Sequence, residues 1–303
     1  MDLTRIVECV PNFSEGRRKD VIEKIVEPFK KTEGVYLLDY EGDPNHNRLV
    51  VTVIGIPEKV KDAVFEATKI ATELIDMEKH KGEHPRIGAT DVIPFIPVKG
   101  VTMEEAVKLA HDLGKKIAEE LNIPVYFYEE AALKPERKNL ESIRKGQYEG
   151  LKEEISKPER APDLGPKKMH PTAGATVVGA RGPLIAFNVN LNTSDVEIAK
   201  KIARFVRHSS GGLRYVKAIG VDLSDRGMAQ VSMNLTNYEK TAIYRVFELI
   251  KIEAERWGVE IVESEIVGLV PANALFDSLS YYLRLKDFNP EKQVMEMRLL
   301  EKM

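Results

Sequence analysis

The stretch LIAFNVNLNTSDVEIAKKIARFVRHSSGGLRYVKAIGVDLSDRGMAQVSMNLTNYEKTAIYRVFELIKIEAERWGVEIV, Leu184–Val262, decides the fold. Its short β-rich runs, Leu184 to Leu191, Tyr215 to Val221, Met228 to Leu235 and Val259 to Val262, predict strands. Between them, Val196 to Val206 and Thr241 to Trp257 carry apolar residues at the spacing of a buried helical stripe. The resulting order, strand, helix, strand, strand, helix, strand, predicts a ferredoxin-like unit in which two helices cover one face of an antiparallel sheet.

Upstream, a similar order recurs. Arg5 to Val10 reads as a strand, PNFSEG as a turn, and Arg17 to Phe29 as a helix burying Val21, Ile22, Ile25, Val26 and Phe29. Strands at Val35 to Leu38 and Arg48 to Ile54 flank the polar turn DYEGDPNHN; a helix over Glu58 to Met77 and a strand at Val92 to Val98 follow. Pro94 and Pro97 favour an edge or irregular position for that strand. The repeat then gains a helix from Thr102 to Leu121, opened by a capping box of Thr102 and Glu105, and the short strand IPVYFY. The fold class expected is therefore α+β: two ferredoxin-like α/β-sandwich subdomains, residues 1–180 and 181–303, with a ligand groove between their sheets. Residues 133–172 hold Pro135, Pro158, Pro162, Pro166 and Pro171 and read either as a linker or as a mobile segment over a cleft. The closing run QVMEMRLLEKM could cover either domain or an oligomer partner.

A chain of 303 residues can bury roughly three quarters of its extended surface, enough for a core without metal or disulfide staples. A single cysteine, Cys9, rules out an intramolecular disulfide and argues against a thiolate zinc cluster. A formal charge of −3 removes the strongest reason to expect a nucleic-acid or anionic-membrane surface. The N-terminus lacks a signal-peptide pattern and no apolar run reaches membrane-spanning length, so a cytoplasmic protein is the expectation.

Chemistry concentrates in four polar stretches. In KHKGEHPR, His80 and His84 stand four apart, but Gly82 and Pro85 break the helix that would align them on a metal, and the zincin order is missing. His84 can exchange a proton near neutral pH, with Lys81, Glu83, Arg86 and Asp91 at hand; a structural hydrogen bond is the alternative. The loop Asp39 to Arg48 is either a capped turn or a site rim, and NFSEG shares that ambiguity. Lys167, Lys168 and His170 in GPKKMHPTAGAT suit an acidic ligand or an exposed basic turn. No dinucleotide or Walker phosphate fingerprint occurs, and Cys9 reads as packing rather than as a nucleophile.

These stretches, with VECVPNFSEG, DYEGDPNHNR, IDMEKHKGEHPRIGATDVIPFIPV, PVYFYEEAA, GPKKMHPTAGATVVGAR, LIAFNVNL and VGLVP, resemble the glutamate formiminotransferase family, including the transferase part of formimidoyltransferase-cyclodeaminase. The resemblance covers almost the whole chain and no cyclodeaminase part. It implies transfer of a formimino group from N-formimino-L-glutamate to N5 of tetrahydrofolate, within one-carbon metabolism and histidine degradation, by a homodimer that needs neither metal nor nucleotide. It implies a catalytic histidine at His84 and a folate-binding segment at Gly165, Pro166, Lys167, Lys168, Met169, His170, Pro171, Thr172, Ala173 and Gly174. The animal form carries an aromatic residue where this chain has Ala173. The acidic residue beside the histidine best matches Glu41, with Asp39 and Asp43 as the alternatives in the same turn, and Arg86 and Arg48 are expected to hold substrate carboxylates. Alternatives are a formylglutamate or 5-formyltetrahydrofolate reaction, and a non-catalytic folate-binding or assembly protein.

Overall fold

The computed structural model describes residues 4–300. The chain divides after Arg181 into two compact units, each with its own core.

The first unit runs β1 (Ile6–Cys9), β2 (Asn12–Phe13), α1 (Lys19–Lys31), β3 (Val35–Asp43), β4 (Arg48–Gly55), α2 (Pro57–Leu74), β5 (Thr90–Lys99), α3 (Met103–Glu120), β6 (Val125–Glu129), α4 (Leu140–Ile143), α5 (Gln147–Glu154) and β7 (Thr176–Ala180). β1 and β2 are two pieces of one interrupted edge-to-edge path, both pairing antiparallel with β4 and with β5. β3 extends the sheet beyond β4, completing the four-strand order of a ferredoxin-like unit. Beyond β5 the sheet continues through β7 to β6, both parallel to their neighbours. β5 is thus internal rather than an edge strand. Its irregularity is real, because the path opposite it breaks between Cys9 and Asn12 and the register shifts at Ile6/Val7 and again at Asn12/Phe13. β7 follows the stretch 133–172 that the sequence marks as irregular and is a strand the sequence reading did not assign: TVVGA is fully buried.

α3 opens with the expected capping box, the Thr102 hydroxyl accepting from the Glu105 amide and the Glu105 carboxylate accepting from the Thr102 amide at 2.8 Å. Residues 130–164 are neither a bare linker nor an open lid. Arg137 and Asp163 form a buried ion pair, Arg137 Nη2 donates to the Ala161 carbonyl at 2.5 Å, and Asp163 Oδ2 accepts from the Phe127 amide at 2.9 Å. Those bonds lash the segment to β6.

The second unit holds β8 (Ile185–Leu191), α6 (Val196–Val206), β9 (Val216–Leu223), β10 (Met228–Leu235), α7 (Ile243–Arg256), β11 (Ile261–Val267) and α8 (Ala272–Leu283). Its sheet order β11-β8-β10-β9, antiparallel throughout, is the ferredoxin-like order expected from Leu184–Val262. Ile185, Phe187, Val189 and Leu191 alternate into the core with Ile202, Val206, Val246 and Ile250. Residues 295–300 of the closing run form a short helix exposing Met295, Leu299 and Leu300, while 301–303 lie outside the described residues. Among the described residues, no helix is long and apolar enough to cross a membrane.

Candidate functional site

Three stretches that were ambiguous one by one converge in the first unit. After α2, Asp76 caps the turn by accepting from the Glu78 amide at 3.1 Å, and Gly82 then lets the chain approach the β3–β4 turn. A Cβ on Gly82 would lie 2.2 Å from the His46 carbonyl oxygen, so only glycine fits. Asn47, itself left-handed at φ 49°, is the knot: its Oδ1 accepts from the Gly16 amide at 2.9 Å and its Nδ2 donates to the Lys81 carbonyl at 3.0 Å. Ser14 completes the tie, its hydroxyl donating to the Gly88 carbonyl at 2.7 Å and its amide to the Ala89 carbonyl at 2.8 Å. NFSEG therefore holds the loop in place.

Around His84 lies a small recess lined by Phe13, Ser14, His46, Asn47, Arg48, His80, Arg86 and Asp91. The His84 ring meets His46 edge-on, centroids 6.1 Å apart, and its Nε2 is buried with no hydrogen-bond partner. Burial first, then the charges of Arg48, Arg144, His46 and Arg86, lower its pKa from 6.5 to about 3. The imidazole is thus neutral at physiological pH, and none of those strongest influences is a carboxylate.

Glu41 stands exposed on β3 opposite Val50, where its field acts on Arg48. The carboxylate that joins a histidine here is Asp43: its Oδ2 lies 2.5 Å from His46 Nδ1, and its Oδ1 accepts from the Asn45 and His46 amides. Those bonds hold the Asp43 carboxyl below its ordinary range, the His46 amide most.

Arg48 opens β4, with Nη1 donating to Asn12 Oδ1 at 3.3 Å and Nε buried without a partner. Arg86 is different, because each of its three nitrogens is engaged within the protein. Nε donates to His80 Nδ1 at 3.2 Å, Nη1 to Gln147 and Glu149, and Nη2 to Glu149 at 2.7 Å and the His80 carbonyl at 3.4 Å. This arrangement leaves His80 Nδ1 an acceptor, so His80 Nε2 donates to the Asn47 carbonyl at 2.9 Å. The guanidinium expected to receive a substrate carboxylate instead ties the histidine loop to α5.

Sequence reading missed Arg144. It caps the C-terminus of α4 and pairs with buried Asp91, whose Oδ1 meanwhile accepts from the Ile87 amide at 2.8 Å. Its Nε is also buried without a partner. Only the acidic end of GATD hinted that a cation would be needed there.

The Gly165–Gly174 segment belongs to this same unit and lies against the strand entrance after His84. Gly88 and Gly174 bridge antiparallel, Met77 N donates to the Thr172 carbonyl at 2.7 Å, and Ala89 N donates to the Ala173 carbonyl at 2.8 Å. His170 Nδ1 accepts from the Thr172 and Ala173 amides, leaving the proton on Nε2, and burial lowers its pKa. Met169 and Ala173 are buried, Gly165 turns left-handed at φ 82°, and Lys167 and Lys168 stand exposed beside Pro166, with Pro171 exposed at the far turn. Ala173 offers no stacking surface in this position. Gly174 has φ 73°, and a Cβ there would lie 2.4 Å from the Ile87 carbonyl oxygen. Gly174→Ala is expected to destabilise the protein by more than about 1–2 kcal/mol, from left-handed backbone strain alone; an unchanged urea midpoint would contradict this stitching. Cys9 is fully buried in the core, where burial pushes its thiol pKa up, as a packing residue requires.

A two-unit α+β fold whose histidine loop and glycine-rich segment are sewn together in this way places the chain in a family, and comparison with known proteins says which. Residues 6–181 match the N-terminal subdomain of the formiminotransferase domain and residues 186–300 match the formiminotransferase domain, so the chain belongs to the formiminotransferase family. Among its relatives, a glutamate formimidoyltransferase of Streptococcus pyogenes serotype M1 is 52% identical over 298 residues, spanning 98% of this chain and 100% of that protein. A glutamate formimidoyltransferase of Thermoplasma acidophilum is 53% identical over 97% of both chains. The formimidoyltransferase-cyclodeaminase of Mus musculus is 48% identical over 92% of this chain, which matches 53% of that longer protein.

Proposed function

We infer that the protein is a glutamate formimidoyltransferase, moving the formimino group of N-formimino-L-glutamate to N5 of tetrahydrofolate and releasing L-glutamate. The full-length relatives carry this reading, and in the site the observation that carries it is the buried, neutral, unpartnered Nε2 of His84. Transfer between two nitrogens needs such an atom. N5 attacks the formimidoyl carbon, a C–N bond forms, and the N5 proton must leave; neutral His84 accepts it. As the tetrahedral carbon collapses, the bond to the glutamate nitrogen breaks, and the imidazolium returns a proton to that leaving amine. Holding both substrates in register removes much of the entropy cost of their encounter.

The remaining residues divide the work. Arg48 receives a donor carboxylate, with Glu41 moderating its charge, and Arg86 serves donor binding indirectly by fixing the loop on α5. Gly165 to Gly174 forms the folate-binding edge, with Lys167 and Lys168 toward the acidic tail of the folate. Asp43 orients His46 against His84. Tetrahydrofolate is a co-substrate, and no step calls for a metal or nucleotide.

The reading is tested by supplying tetrahydrofolate with either formiminoglutamate or formylglutamate and following free glutamate. Release that needs both tetrahydrofolate and the formimino donor supports it. Release from formylglutamate alone among the donors would replace the substrate, and folate binding without turnover on either donor would make the protein a carrier.

A further inference from the structure

The recess beside His84 is lined by the cations Arg48 and Arg86 and by His46 and His80, with Asp91 as its one carboxylate. Arg48 Nε and His84 Nε2 are buried in it without partners, and Arg144, which pairs with the recess residue Asp91, also has its Nε buried without one. A desolvated donor left without an acceptor is costly. The two guanidinium groups are also close enough that Arg144 lowers the pKa of Arg48, second only to burial. Acceptors nearby are already committed: Asp91 to Arg144 and the Ile87 amide, Asp43 to His46 and two amides. Arg86 is neutralised by Glu149. Among the described residues, no acceptor pairs with the Nε of Arg48 or of Arg144.

We infer that Arg48 and Arg144 form a carboxylate clamp for the amino-acid donor, and that the donor's arrival is what turns His84 into a working base. This rests on the transfer reading above and adds Arg144 to the substrate site. The groups facing His84 from each packed element are Arg48 on β4, Arg144 at the end of α4, His46 in the β3–β4 turn and Arg86 on its own loop, with Asp91 and His80 across the recess. After burial, Arg48 and Arg144 are the strongest of these in keeping the ring unprotonated. A bound carboxylate offsets both. A base works best when its pKa lies near the operating pH, so the empty site is a poor base and the donor-loaded site a better one. Tetrahydrofolate arriving alone keeps its N5 proton. A folate also ends in carboxylates, so the clamp's occupant must be shown to be the donor.

The probe is N-acetyl-L-glutamate, a dicarboxylate of the donor's shape that has no formimino group to transfer. In the parent protein, the His84 imidazole signal is titrated by NMR with and without saturating probe. Its midpoint is expected to rise by at least about one pH unit as the two cations are offset; an unmoved midpoint overturns the switch and the clamp together. Arg144→Lys keeps a cation on Asp91 but loses Nε and the planar fork. It is expected to weaken probe binding by about tenfold or more while tetrahydrofolate affinity changes less than about twofold. Equal losses, or a loss for folate only, overturn the assignment to the donor. If Arg144→Lys lowers the melting temperature, Arg48→Lys carries the same comparison. Failure of the parent to transfer a formimino group, with the clamp intact, would sink the transfer reading alone. Normal turnover with an unaltered probe affinity in both variants would sink the clamp alone.

Discussion

Replacing His84 with alanine is expected to slow formimino transfer by about 10² to 10⁴, the usual contribution of a positioned acid–base group. Folding and tetrahydrofolate affinity should stay close to the parent's, because the ring makes no hydrogen bond through Nε2 and the loop is held by Asn47, Arg86 and Ser14. Turnover within about threefold of the parent, with chemistry limiting, would remove His84 from the mechanism. The same variant gives a second readout in acid. His84 has a folded pKa of about 3 against 6.5 for the free side chain, so between those values the unfolded chain binds more protons. Native stability from this group is complete above the upper value and falls as pH drops toward the lower one. Alanine removes that penalty. The stability difference between variant and parent should therefore shift toward the variant as pH is lowered through that window, and an invariant difference would mean that His84 is not held neutral.

Arg137→Ala is expected to produce the largest loss of stability, about 3–5 kcal/mol, because it strands Asp163 as an unpaired buried carboxylate. The Arg137 and Asp163 side chains are 5% and 2% exposed. The pair lashes residues 130–164 to β6, and that segment delivers Arg144 to Asp91 and Gln147 and Glu149 to Arg86. Activity should fall along with the melting temperature, and low temperature should restore part of both. Equilibrium denaturation showing a loss below about 1 kcal/mol would mean that the pair does not anchor the segment.

The second unit was readable because its strands present one face to a core: Ile185, Phe187, Val189 and Leu191 alternate, and the helices between show full apolar stripes. β7 escaped because TVVGA is buried on both faces and has no alternation to read, following directly on the turn at Gly174. His84 could be singled out from its polar surroundings, and the family resemblance sharpened it. Its partners could not be, since each is set by tertiary contact. Arg144 reaches Asp91 across 53 residues and Glu149 reaches Arg86 across 63. Proximity in sequence suggested Arg86 as a substrate ligand, yet the fold engages that side chain and leaves Arg48 and Arg144 with unpartnered nitrogens. Glu41 and Asp43 both lie on β3 within a turn rich in acids, and only the geometry shows which of them holds a histidine.

The central claim is that one intact formimino group passes from glutamate to folate, and an isotope decides it. Formiminoglutamate labelled with ¹³C and ¹⁵N in the formimino group is incubated with tetrahydrofolate and the purified protein, and the products are weighed by mass spectrometry. Both labels are expected together on the folate, with unlabelled glutamate released in equal amount. Labelled ammonia or formamide in solution, with the folate unlabelled, would contradict transfer.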